Sequence, residues 1–71
     1  MSQCEQILRY LEDVGSITPM EAIEQFGCLR LAARIADLKK LGVKIRTTRA
    51  VGKNRYGEKV SYAIYFLEGG V

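Results

Sequence analysis

Seventy-one residues, 48% hydrophobic and 27% charged, suffice for one small folded domain spanning 1–71 and exclude a second domain or a low-complexity chain. There is no histidine, and the two cysteines, Cys4 and Cys28, sit inside helical apolar patterns. A zinc site therefore lacks ligands, no cofactor is expected, and two free core thiols in a reducing cytosol are the expectation. The net charge of +3 is unevenly placed: residues 1–27 carry one basic residue against five acidic ones, residues 28–71 ten basic against three acidic. Such a split suggests that one side of the molecule faces a polyanion; the alternative is that the basic residues merely solubilise a strand-rich half.

No apolar run approaches the roughly 20 residues that span a bilayer. The opening MSQCEQ has neither the basic start nor the apolar stretch of a signal peptide. A cytoplasmic location with no membrane partner is the expectation.

Ser2 and Glu5 have the spacing of a capping box. Cys4, Ile7, Leu8, Leu11 and Val14 then recur at helical spacing, and Gly15 ends the run, which predicts helix one over about 2–14. Ser16-Ile17 reads as a short extended link, one or two residues of strand at most. Thr18-Pro19-Met20-Glu21 is a second capping box with proline at the first helical position. Ile17, just before the cap, is placed to staple onto Ala22 or Ile23. Helix two is predicted over Pro19 to Phe26, with Ile23 and Phe26 inward and Met20 or Ala22 beside them. Gly27 breaks it after two turns. Cys28, Leu31, Ala32, Ile35 and Leu38 start a new stripe that stops at Gly42, which predicts helix three over about 29–41. A short helix, a tight glycine turn and a longer helix make a helix-turn-helix.

After Gly42 the period changes to two. Val43, Ile45 and Thr47 alternate with Lys44, Arg46 and Thr48, and Val60 to Leu67 is rich in β-branched and aromatic residues. A polar loop over about 51–59 separates these strands. The expected fold class is α+β: a winged helix-turn-helix with three helices followed by a two-stranded β-hairpin wing.

Three constellations are candidates for function. The first is the outer face of helix three. With Leu31, Ile35 and Leu38 inward, Arg30, Ala33, Arg34, Asp37 and Lys40 point outward or sideways. Arginine can fork onto guanine and alanine can touch a thymine methyl. Arg34 serves equally well as a brace, pairing with Asp37 or with an acid on helix two. This face has no Asn, Gln, Ser or Thr, so its vocabulary for reading bases is poor. The second is the loop with Lys53, Asn54, Arg55 and Lys59, whose cations suit phosphate; the alternative is a solvated hairpin loop. The third is the last strand. If Ala63, Tyr65 and Leu67 face the core, then Tyr62, Ile64 and Phe66 form an outward apolar stripe. That stripe suggests an interface, with a homodimer as the preferred occupant. Otherwise helix one or the C-terminal tail covers it within the monomer.

The run ILRYLEDVGSITPMEAIEQFGCLRLAARIADLKKLGVKI, residues 7–45, resembles a family of small helix-turn-helix domains found mainly in phages and prophages. The resemblance rests on Gly15-Ser16-Ile17-Thr18, Phe26-Gly27-Cys28, Arg30-Leu31-Ala32-Ala33-Arg34-Ile35, Leu38 and Gly42. It continues through Ile45, Tyr65 and Leu67 in the hairpin. It departs at Ile64 and Phe66, where similar domains often carry charge. The resemblance implies binding of double-stranded DNA by analogy of fold. Together these features lead to a non-enzymatic DNA-binding protein of phage type, a regulator or a DNA-processing accessory factor. Helix three would lie in the major groove and the wing on the backbone, with no small-molecule substrate. The alternative is a protein-interaction module that uses the last strand's face.

Overall fold

A computed structural model describes residues 2–68 and has the element order α1 (Gln3–Val14), β1 (Ser16–Ile17), α2 (Pro19–Phe26), α3 (Leu31–Lys40), β2 (Ile45–Lys53) and β3 (Lys59–Leu67). The caps explain the boundaries. Ser2 Oγ accepts the Glu5 backbone N–H at 3.2 Å and starts α1. Thr18 and Glu21 form the full reciprocal box at α2: the Glu21 N–H donates to Thr18 Oγ1 and the Thr18 N–H to Glu21 Oε1, at 3.2 and 3.1 Å. Ile17 and Ala22 are both wholly buried on either side of that cap, as a staple requires.

Two glycines fix how the helices meet. Gly27 adopts φ 62°, a left-handed conformation that a Cβ would strain, and turns the chain between α2 and α3. Gly42, at φ 94°, ends α3 in a Schellman arrangement. The Val43 N–H donates to the Leu38 carbonyl and the Gly42 N–H to that of Lys39, at 3.1 and 3.0 Å. This closure brings Val43 onto the core and aims the chain into β2.

The three-stranded antiparallel sheet has the order β1-β3-β2. Ser16-Ile17 forms a two-residue strand, as its extended reading allowed, and pairs with Phe66 and Tyr65, so the end of β3 is central rather than an edge. Proline follows two residues later and has no N–H to continue the ladder. β3 is therefore open on that side from Lys59 to Ile64. The hairpin is also longer than expected. β2 reaches Lys53 and β3 begins at Lys59, so only 54–58 remain as loop. Gly52 lies inside the ladder opposite Val60, and the Tyr62 ring comes within 3.5 Å of where a Cβ on Gly52 would sit.

The core draws on every helix and on β1 and β2: Ile7, Leu11, Ile17, Ala22, Cys28, Leu31, Ile35, Leu38 and Ile45 are all buried, and Tyr65 and Leu67 of β3 pack against them. Both cysteines are free and belong to this region, Cys28 buried and Cys4 half-buried. Helix two is rotated from its expected orientation. Ala22 faces in with Phe26, while Ile23 and Met20 are 42% and 63% exposed. Ala22 and Phe26 are four apart and share a face, whereas Ile23 lies about 100° round the helix from Ala22. Phe26 meets the Tyr10 ring edge-on, with centroids 5.5 Å apart.

Candidate nucleic-acid interface

Helix α3 begins later than its apolar stripe suggests, at Leu31. Arg30 is its N-cap residue, at φ −125° and ψ 56°, and makes no side-chain capping bond. Leu31, Ile35 and Leu38 are buried, so the outer line of the helix runs through Ala33, Ala36 and Lys40, and Leu29 leads into it. Leu29 is 81% exposed, Ala36 and Lys40 are exposed and Ala33 is half-buried.

Arg34 and Asp37 lie on the flank beside α1. Arg34 Nε donates to Gln3 Oε1 at 3.1 Å, and its Nη1 pairs with Asp37 Oδ2 at 3.4 Å. Arg34 thus ties α3 to the start of α1. Its expected brace is present, but its anchor on the neighbouring helix is Gln3 of α1 rather than an acid of α2. Arg34–Asp37 is the only ion pair among the described residues. Arg30, Lys39 and Lys40 are exposed at the two ends of the helix.

The wing's register sorts its side chains. Ile45↔Leu67, Thr47↔Tyr65, Arg49↔Ala63, Val51↔Ser61 and Lys53↔Lys59 alternate with Arg46↔Phe66, Thr48↔Ile64, Ala50↔Tyr62 and Gly52↔Val60. Side chains of directly paired residues share a face, and successive pairs swap faces. Ile45, Tyr65 and Leu67 belong to the core, so Arg49, Lys53, Lys59 and Ser61 share the face of the sheet that meets the helices. Arg49 Nη1 donates to Ser61 Oγ at 3.5 Å across that face. Lys53 and Lys59 stand directly opposite each other, a like-charge pair that disfavours the hairpin unless an anion joins it.

The loop between them is built by Asn54. Its Oδ1 accepts the backbone N–H groups of Tyr56 and Glu58 at 2.9 and 3.0 Å, which leaves its amide NH2 as the free donor. Arg55 is exposed on the same loop.

The opposite face carries Tyr62, Ile64 and Phe66 with Val60, Ala50 and Thr48. Tyr62 is 41% exposed, Ile64 and Phe66 are half-buried, and the Arg46 guanidinium lies 5.9 Å from the Phe66 ring centre. Tyr62 also borders an open apolar groove of about 290 Å³ shared with Thr18, Pro19 and Met20. Helix α1 packs on the other side of the sheet, so it does not cover the stripe; most of the C-terminal tail, 69–71, lies outside the described residues.

Arg49 and Leu29 were absent from the sequence-derived set. Arg49 was legible in principle, since it sits four residues after Ile45 and keeps that residue's parity once the strand is extended to Lys53. Leu29 falls within the predicted span of helix three but belongs to the turn before it.

No group of three or more His, Cys, Asp or Glu side chains is placed to hold a metal among the described residues, and no helix there is long and apolar enough to cross a membrane. Neither the curated proteins nor the solved structures contain a match to this chain. A family model described as a winged helix-turn-helix domain matches residues 2–69. With three helices, a left-handed glycine turn between the second and third, and a β-hairpin, the chain belongs to the winged helix-turn-helix domain family.

Proposed function

We propose that this protein binds duplex DNA with α3 in the major groove and the wing along the phosphate backbone, acting by binding rather than by catalysis. Family membership suggests a DNA partner. The observation that carries the finer reading is the sorting of charge by the wing's register. Arg49, Lys53 and Lys59 stand on the helix-side face, with Arg46 alone on the other, and Arg30, Lys39 and Lys40 stand at the ends of α3. Cations so placed address phosphates on both sides of a groove, which sets affinity and register without reading sequence. The resemblance of residues 7–45 to phage and prophage domains favours a regulator or DNA-processing accessory factor of that kind.

The test is a polarisation titration with random-sequence duplex at several salt concentrations. Neutralising about 4–6 phosphates gives a log–log salt slope of roughly −4 to −5. Replacing Lys53, Arg55 and Lys59 together by alanine should weaken binding to all sequences alike and flatten the slope by up to about three units. Folded protein that fails to bind at about 50 mM salt would refute the reading.

The stripe Tyr62, Ile64 and Phe66 favours a second property, self-association through β3. It lies on the face away from the helices, next to the groove at Met20, so a dimer formed there leaves the basic face free. The same surface would serve a protein-interaction module. Salt separates either use of the stripe from DNA binding, because an apolar contact does not weaken as salt rises.

A further inference from the structure

The helix that meets the bases has little with which to form hydrogen bonds to them. Its outer line is Ala33, Ala36 and Lys40, with Leu29 in the turn that leads into it. The one guanidinium in the body of the helix, that of Arg34, is turned sideways onto Gln3 and Asp37. The exposed cations stand at the helix ends, where phosphates run. What remains is a leucine, 81% exposed, in the turn just ahead of Arg30, and the alanine methyls of the helix's outer line.

A leucine in that position is out of place in water and is not part of the core. Arg30, an exposed cation, follows it directly, so its surroundings suit a polyanion better than an apolar protein face. The group in the major groove that such a surface complements is the 5-methyl of thymine, which projects from the base edge and needs no hydrogen bond. 5-Methylcytosine places the same methyl on the same ring carbon. Unmethylated G·C pairs offer only donors and acceptors, which apolar side chains would strip of water and leave unpaired.

We propose that α3 reads duplex DNA through pyrimidine 5-methyl groups, with Leu29, Ala33 and Ala36 as the contacting residues. Affinity then follows the methyl content of the major groove. This rests on the DNA-binding reading above and specifies what that site selects.

The experiment compares alternating A·T duplex with the same duplex carrying deoxyuridine for thymidine, and alternating G·C duplex with its 5-methylcytosine counterpart. All are of equal length and titrated at several salt concentrations. Removing the thymine methyls should weaken binding about fourfold for each methyl contacted. Adding cytosine methyls should strengthen it comparably. The salt slope should not change, because the phosphates are the same. Leu29→Ser with Ala36→Ser, both exposed and hence compatible with the core, should bring the thymine and uracil affinities together, with circular dichroism confirming the fold. Equal wild-type affinity for the thymine and uracil duplexes overturns methyl reading while leaving DNA binding intact. A thymine preference that survives in the folded double variant overturns the assignment to these residues. Absence of binding to every duplex overturns the DNA reading itself.

Discussion

Glu21 joins three hydrogen bonds at one helix start: its N–H donates to Thr18 Oγ1, its Oε1 accepts the Thr18 N–H and its Oε2 accepts the Tyr10 hydroxyl at 2.6 Å. The last of these ties α2 to α1 beside the Tyr10–Phe26 ring contact. It also raises the Tyr10 pKa above its ordinary value of 10.0, chiefly because the hydroxyl donates to a carboxylate, with burial and the charges of Glu21 and Glu24 adding to the effect. A raised phenol pKa means that the folded state holds the proton more tightly than the unfolded chain does. The resulting stabilisation is present below pH 10 and is lost as pH rises through the folded value. Chemical denaturation of the wild type should therefore lose ground above about pH 10, and Tyr10→Phe should be less stable at neutral pH but lack that alkaline loss. Parallel curves for the two proteins from pH 8 to 11 would show that the hydrogen bond carries no weight.

At the scale of elements, much of the fold was legible because its punctuation is chemical. The two capping sequences, the proline at the first position of α2, and Gly27 and Gly42 each have a local meaning, and α2 falls on the predicted residues. The wing was less legible. Gly52, Asn54 and Gly57 read as one loop, yet Gly52 is a ladder residue whose bare face lies beside the Tyr62 ring. The extent of pairing depends on a partner strand that periodicity in one segment does not reveal. For the same reason Ser16-Ile17 could be read as extended but not matched to Phe66 and Tyr65. Of the inward residues expected on α2, Phe26 holds, while Ile23, favoured for its hydrophobicity, gives way to Ala22, which is wholly buried. Of the candidate site, the wing cations and the brace at Arg34 were visible in the sequence; Arg49 required the register.

The opposed pair Lys53 and Lys59 gives the wing a test with two signs. Lys53→Glu replaces a like-charge pair with an attractive one and should stabilise the folded protein slightly, by about 0.5 kcal/mol or less. The same change should weaken duplex binding by reversing a charge on the helix-side face. Thermal unfolding and a DNA titration on one preparation check both. A variant that loses stability and keeps its affinity would show that the pair is unrelated to anion binding.

For the whole molecule, Tyr62, Ile64 and Phe66, with Arg46 beside them, lie on one face of the sheet, and Arg49, Lys53 and Lys59 on the other. If the apolar face is a dimer contact, Ile64→Lys with Phe66→Glu should halve the mass measured by sedimentation while leaving a folded protein. Burying one such side chain per subunit contributes roughly 1.5–3 kcal/mol, enough to matter beside the few kcal/mol of a chain this short. A wild type that is monomeric at high concentration, or a folded double mutant of unchanged mass, would end the dimer reading.

β1 is only two residues long, yet it pairs Ser16 and Ile17 with Phe66 and Tyr65, near opposite ends of the described chain. Forming that contact closes a loop of roughly fifty residues, which carries an entropic cost that local contacts cannot repay until the segments between have folded. The helical half and the hairpin are thus fastened to each other late, and neither is a separable piece. Amide exchange at Ile17 and Tyr65 should then occur only through global unfolding, at the same rate as the slowest amides of α1 and α3. A protein fastened this way holds the base of its hairpin against the helices, so the spacing between α3 and that end of the wing is part of the fold itself.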